Sequence, residues 1–254
     1  MKAIWSGAIS FGLVNIPVYL YSGASPHNID LEMVRDSDAC PIKYTRVCKK
    51  DGEEVPWEDI VKGYREDDYF ILLDDEDFEK AGAEKSESID ITDFVDISEI
   101  SPRYFEKPYL IEPQKGAGKA YNLLRKAIVD SGMGGIAKFV MRNREHLALL
   151  LANEDMIFLI RMRFHSDLKD PEDLDLPRKQ KPAKKELDMA LKLIDQMKSD
   201  FKPQKYKDEY QKRLKKIIKA KAKNKEIKPV GKKKKPSDIE DLVSQLKESL
   251  EKTS

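Results

Sequence analysis

Apolar side chains alternate with polar ones through most of the first 165 residues, and only later recur every three or four positions. Trp5, Ile9, Phe11 and Leu13 mark one face of a strand, and Ile16, Val18 and Leu20 form a second alternating run in the opposite phase. The phase change near Asn15 predicts a bend or bulge. Residues 42–48 alternate again, and Lys50-Asp51-Gly52 is a hairpin signal leading to Glu53-Glu54-Val55. Tyr69-Phe70-Ile71-Leu72-Leu73 predicts a buried strand running into an acidic helix around Asp75–Ala81, and Ile89, Ile91, Phe94 and Val95 resume the strand pattern. Gly116-Ala117-Gly118 opens a helix over Lys119–Ser131 that Gly132 can cap. Strands follow at Ile136–Met141, His146–Ala152 and Met156–Phe164, the first two joined by Arg142-Asn143-Arg144-Glu145. Many short strands around one embedded helix predict a β-barrel or strongly curved sheet in a mixed β/α fold.

The period then changes. Asp170–Pro182 carries three prolines and reads as a linker after a core spanning residues 1–177. Leu187, Ala190, Leu191, Ile194, Met197 and Phe201 recur at helical spacing, which predicts a helix over 183–201 broken by Pro203. A second helix is predicted over Lys205–Lys225, with Tyr210, Leu214, Ile217 and Ile218 on one side and mostly Lys or Arg elsewhere. Residues 183–225 thus form a basic helical arm, and 226–254 a lysine-rich tail. Behind the Lys232–Lys235 run, Ser237 and Glu240 form a capping box for a short terminal helix. Its stripe of Ile239, Leu242, Val243, Leu246 and Leu250 suits a partner-binding helix better than docking on the chain's own core.

Charge sharpens this division. The net charge of +1 hides 25 Lys and Arg against 12 Asp and Glu in residues 178–254, so the remainder is net acidic. A tail so dominated by one sign points to a polyanion partner. The acidic side chains around Glu66–Glu99 are expected to face outward, leaving a basic minority to line the binding surface. No run approaches the roughly 18 apolar residues that span a bilayer, so no membrane partner is expected. The N-terminus lacks the apolar core of a secretory signal, and Cys40 and Cys48 are the only cysteines, which fits a reducing cytoplasm.

Catalytic chemistry finds little support. His27, His146 and His165 sit in unrelated contexts, outside nucleophile-elbow or metalloprotease patterns. Gly116-Ala117-Gly118-Lys119 lacks the spacing and Lys-Ser/Thr ending of a phosphate loop, and reads as a helix entry. Seven residues separate the two cysteines, too many for a close zinc-ligand pair, so structural cysteines are the better reading. No enzyme activity, cofactor or metal is expected.

Residues 101–150 hold nine basic against four acidic side chains. Lys138, Val140 and Arg142 would share one face of a strand, as would Lys43 and Lys49 if their segment stays extended. Such faces suit phosphate contacts that do not read sequence. The expected nucleic-acid contacts are Lys43, Arg46, Lys49, Lys138, Arg142 and Arg144 on the core, then Lys205, Lys207, Lys212, Arg213, Lys215 and Lys216 on the basic arm.

The opening Ala3-Ile4-Trp5-Ser6-Gly7-Ala8-Ile9-Ser10-Phe11-Gly12-Leu13-Val14-Asn15-Ile16-Pro17-Val18 closely resembles the N-terminal signature of the bacterial Ku family. Similar stretches follow in the family's order: Ile42–Cys48, Asp59–Tyr64, Tyr109–Pro113, Lys119–Arg125 and Arg142–Ala148. Leu193-Ile194-Asp195, Tyr206–Tyr210 and Asp241–Leu246 resemble the family's C-terminal region, so the likeness covers nearly the whole chain. It implies a Ku-type β-barrel core, an inserted bridging and dimerisation arm near residues 37–70, and a homodimer closing into a ring around a duplex. It further implies binding of double-stranded DNA ends in non-homologous end joining, with recruitment and stimulation of the ATP-dependent DNA ligase D, in the cytoplasm on the nucleoid. The N-terminal von Willebrand-type domain of eukaryotic Ku is expected to be absent. Two departures stand out. Cys48 is followed by Lys49, Lys50 and Asp51 where many relatives carry a second close cysteine, and Phe164-His165-Ser166-Asp167 replaces an aromatic-Pro-Asp-Glu sequence. The competing reading is an architectural nucleic-acid-binding protein acting through its basic tail alone. A weakly active nuclease or ligase accessory would need a carboxylate arrangement that the sequence does not clearly provide.

Overall fold

The computed structural model describes residues 1–25, 29–81, 87–177 and 181–223. The described strands are β1 (Trp5–Phe11), β2 (Val14–Ser22), β3 (Lys62–Glu66), β4 (Tyr69–Leu73), β5 (Ser88–Asp96), β6 (Phe105–Pro113), β7 (Met133–Met141), β8 (Arg144–Ala152) and β9 (Ile157–Met162). The described α-helices are α1 (Asp75–Ala81), α2 (Gly118–Ser131), α3 (Lys184–Met197) and α4 (Glu209–Lys221). Two compact units divide between Pro171 and Glu172, the first carrying all of the strands with α1 and α2, the second α3 and α4.

Seven strands close into a barrel in the order β1-β2-β6-β9-β8-β7-β5. Closure comes from a parallel pairing of β1 with β5, Ile9 opposite Ile89, while the other neighbours run antiparallel. Alternation decides what fills the interior. Ile9, Ile16, Val18, Leu20, Ile89, Ala137, Ala148, Leu150, Ile157 and Leu159 are fully buried. Burial of an aliphatic side chain of Val, Leu or Ile size contributes about 1.5–3 kcal/mol, so this inward set dominates the core. α2, between β6 and β7, buries Tyr121, Leu124 and Ile128 against it and ends on Gly132, whose φ of 66° suits glycine.

The phase change near Asn15 is neither bend nor bulge. It is a hairpin whose two-residue loop is Gly12-Leu13, with Phe11 paired to Val14 and Ile9 to Ile16. Gly12 has φ +57°, which a loop of this kind requires at its first central residue.

Between β2 and β5 lies a segment outside the barrel order, the arm. The hairpin signal at Lys50–Gly52 is realised by a Val47–Glu54 bridge and a 2.8 Å bond from Cys48 N to the Glu53 carbonyl, with Gly52 at φ +79°. β3 and β4 form a separate two-stranded sheet. Contrary to the sequence expectation, β4 is exposed: Tyr69, Phe70, Ile71 and Leu72 are 43–67% accessible. Its apolar run correctly marks a strand, but nothing in the described chain covers it.

In the second unit α3 stops at Met197, four residues short of the expected end. Lys198 is extended, Ser199 and Asp200 follow, and both of these residue types favour turns over helix interiors. α4 starts later than expected because Asp208 is its N-cap, accepting from Gln211 N at 3.0 Å. The terminal stripe Ile239, Leu242, Val243, Leu246 and Leu250 and the Lys232–Lys235 run lie outside the described residues.

Candidate nucleic-acid interface

The predicted basic residues fall into three groups. On the arm, Lys43, Arg46 and Lys49 are exposed, but no regular strand holds them on one face. Lys49 lies in the turn, and the Arg46 guanidinium sits 4.5 Å from the centre of the Trp57 ring. That stacking fixes the charge in place and leaves its edge N–H groups available to a phosphate.

The barrel group centres on the β7–β8 turn. Met141 pairs with Arg144, so Arg142 and Asn143 form a two-residue loop, with φ values of 55° and 61°. Arg142 therefore does not continue the strand face of Lys138 and Val140. It projects from the hairpin tip, flanked by Arg144, and all three tip residues are exposed. An arginine at positive φ costs about 1 kcal/mol relative to glycine, and such positions concentrate at functional sites. Lys138 has a partner already: its Nζ lies 3.0 Å from Glu145 Oε1 across the ladder, with both side chains about half exposed.

Acid and base are less segregated than the sequence suggested. A cavity of about 720 Å³ is lined by Lys62, Arg142 and Arg144 together with Asp75 and Glu79 of α1. The acidic helix thus shares a cavity with the basic turn, and Lys62 Nζ lies 4.3 Å from the Phe78 ring centre.

The third group belongs to the second unit. Lys212, Arg213, Lys215 and Lys216 lie on α4 and are exposed. Lys212, Lys215 and Lys216 oppose the stripe of Tyr210, Leu214, Ile217 and Ile218. Lys205 and Lys207 are not α-helical: Lys205 ends a 3-10 turn begun by Pro203, and Lys207 lies between that turn and α4.

One cluster was missed by the sequence reading. Ile157, Leu159 and Arg161 share the inward phase of β9, so Arg161 sits at an inward position near one end of the barrel. Beside it stand Glu106, Arg144, His146 and Arg163, around a cavity of about 270 Å³. Arg161 makes a two-point bond to Glu106, and Arg163 donates to the carbonyls of Arg103 and Phe105 at 3.1 and 2.7 Å. Burial, Arg161 and Arg144 together hold the His146 imidazole below its ordinary pKa, while the Arg161 hydrogen bond lowers that of Glu106. An arginine in phase with inward aliphatics was the available signal.

Among the described residues no group of three or more His, Cys, Asp and Glu side chains is placed to hold a metal ion. Cys40 is exposed and Cys48 half-buried. No described helix is long and apolar enough to cross a membrane.

These features define a class: a closed seven-stranded barrel with an exposed apolar sheet between β2 and β5, and a second unit that carries a lysine-rich helix. Residues 10–189 match the model of one such family, the Ku70/Ku80 beta-barrel domain. The chain belongs to the Ku family. It is 41% identical to the non-homologous end joining protein Ku of Opitutus terrae, over 100% of this chain and 92% of that protein. The protein of the same name from Archaeoglobus fulgidus is 38% identical over 99% of both chains. That of Bacillus subtilis is 35% identical over 100% of this chain and 83% of its own.

Proposed function

We propose that this chain binds the ends of double-stranded DNA without regard to sequence, as a ring-shaped homodimer in non-homologous end joining. It acts there as a non-catalytic clamp in the cytoplasm, on the nucleoid, recruiting and stimulating the ATP-dependent DNA ligase D. The observation that carries the reading is similarity to end-joining relatives over the whole length of the chain, basic arm included.

Physical features support each part. The strained Arg142-Asn143 tip with Arg144, the stacked Arg46 and the exposed α4 lysines present cations without base-reading geometry. Such contacts gain affinity by releasing counterions whatever the sequence. A ring adds end-specificity, because a closed loop threads a duplex only where the strands terminate. Two exposed apolar surfaces favour a partner copy: β4 on the arm, and the Leu187, Leu191, Ile194 and Met197 stripe of α3. The domain plan follows: a core over residues 1–177 with a bridging arm near 37–70, a basic arm over 183–225, and a tail over 226–254 that docks the ligase.

The test is binding to a linear duplex against the same DNA as a covalently closed circle, at moderate salt. Strong preference for the linear form, with protein trapped once both ends are blocked, is the expected result. Equal affinity for both would leave a binder acting through its basic tail.

A further inference from the structure

The charged end of the barrel is built unlike the rest of the surface. His146 is backed by aromatic rings: its own lies 5.5 Å from that of buried Phe139, which meets Trp5 edge-on at 6.3 Å. Beside His146, three arginines from two adjacent strands and the chain just beyond them line one cavity. Arg161 is clamped by Glu106 and Arg163 by two backbone carbonyls, so both guanidinium groups are pre-positioned. Arg144 forms no ion pair among the described residues, although it also borders the cavity that holds Asp75 and Glu79. Of the two carboxylates in the lining, Glu106 is engaged by Arg161, and Asp167 accepts from the Phe164 amide at 3.0 Å.

We propose that this cavity is a binding site for a single phosphate oxyanion, with Arg144, Arg161 and Arg163 supplying charge-assisted hydrogen bonds and His146 an additional donor. Arginine's planar fork matches tetrahedral oxyanions, and fixed donors bind without having to be ordered first. The volume of about 270 Å³ falls below the usual range for drug-sized ligands, which suits one phosphate group with its waters. Charge sets the ligand class as well. Three arginines against two carboxylates leave one net positive charge, and protonation of His146 supplies a second. The groups that face His146 are Arg144 on its own strand, Arg161 on β9, Glu106 on β6 and the Phe139 ring on β7, and one ring nitrogen hydrogen-bonds the Met141 backbone, which leaves the other for the phosphate. A phosphate bound among them offsets the Arg161 and Arg144 charges that, after burial, help lower the imidazole pKa, so binding and protonation reinforce each other. The site does not depend on the DNA-end reading. Its occupant is either a free phosphorylated molecule or one backbone phosphate of bound DNA.

The experiment is proton NMR of the imidazole C–H groups in the full-length chain, titrated with inorganic phosphate while chloride holds ionic strength constant. The His146 signal, assigned by its loss in His146→Gln, should shift saturably, and its apparent pKa should rise. Arg144 is exposed at a hairpin end, and Arg144→Gln should weaken phosphate binding about tenfold or more, with Arg144→Lys intermediate. A shift that tracks ionic strength alone, or one indifferent to Arg144→Gln, overturns the proposal. Repeating the titration with saturating duplex identifies the source. Loss of the phosphate response assigns the site to the DNA backbone, and retention assigns it to a free phosphorylated molecule. Because the first titration contains no DNA, failure to bind DNA ends leaves its outcome unaffected.

Discussion

Arg161 and Glu106 meet in a two-point ion pair across the β6–β9 ladder, Nε to Oε2 at 2.9 Å and Nη2 to Oε1 at 2.5 Å. A register shift makes the contact possible. Phe105 pairs with Met162 and Lys107 with Arg161, so Glu106 is an extra residue without a cross-strand partner. A bulge of this kind re-aims a side chain. The pair is largely shielded, at 23% and 34% side-chain exposure.

Glu106→Gln should therefore destabilise the barrel by about 1–3 kcal/mol at pH 7, because it leaves Arg161 shielded without its counter-charge. Urea unfolding measures it. The Arg161 bond lowers the folded-state pKa of Glu106, so its stabilisation is complete above the unfolded value of about 4.3 and fades as pH falls through the folded value. The gap between wild type and variant should accordingly be constant from pH 6 to 8 and shrink below about pH 4. A gap independent of pH would assign the effect to packing.

Tyr121 ties α2 to the barrel through one hydroxyl. It donates to the Ile111 carbonyl at 2.9 Å and accepts from Ile157 N at 2.7 Å, at a ring only 5% exposed. Tyr121→Phe keeps the ring and strands both backbone groups, for an expected loss of about 1–3 kcal/mol. Amide exchange at Ile157 should accelerate in step with that loss. Unchanged protection would place a water in the hydroxyl's position.

Much of the barrel was legible because its strands alternate cleanly and their inward residues are aliphatic. The first hairpin was misread for a definite reason. A two-residue loop pairs an odd-numbered position with an even-numbered one, as Ile9 with Ile16 and Phe139 with His146, so the inward phase must invert across it. Inversion alone does not separate a hairpin from a bulge; glycine at position 12 does. β4 was misread because periodicity reports that a face is apolar, not what covers it. Among the site residues, the Arg142–Arg144 tip was visible as a run of basic residues, but its turn geometry was not. Arg161 was hidden by its strand: an inward arginine becomes meaningful only with Glu106, 55 positions away, placed by a bulge no local pattern announces.

Arg142→Gly should separate stability from binding. Glycine relieves the positive φ of 55° and should stabilise the barrel by up to about 1 kcal/mol. The same change removes the phosphate contact proposed for the hairpin tip, so affinity for linear duplex should fall and the slope of log K against log salt should flatten by about 0.9. A stabilised variant with an unchanged slope would show that the strain at Arg142 serves something other than DNA.

The α4 cations are expected to act as sequence-blind phosphate contacts. Replacing Lys212, Arg213, Lys215 and Lys216 with glutamine should flatten the salt slope by as much as about 3–4 while leaving the preference for linear over circular DNA intact. These side chains are exposed and belong to the second unit, so melting temperature should change little. Loss of the linear preference would transfer end-recognition from the ring to the arm.

The exposed apolar faces bear on assembly. Leu187, Leu191, Ile194 and Met197 occupy one stripe of α3 at 45–67% exposure, and Phe70 and Leu72 of β4 are 62% and 67% exposed. Leaving such side chains in water forgoes about 1.5–3 kcal/mol each, which a second copy can supply by covering them. Ile194→Asp and Phe70→Asp each place a charge on one of these faces without entering the barrel interior. If the homodimer buries both, either change should shift sedimentation toward monomer by one to several orders of magnitude in Kd, with barrel near-UV dichroism unchanged. The DNA readout then tests the ring itself. A monomer carrying every basic residue should still bind duplex, but should lose its trapping on DNA with blocked ends. Retained trapping by a monomer would mean that a single chain encloses DNA without a partner.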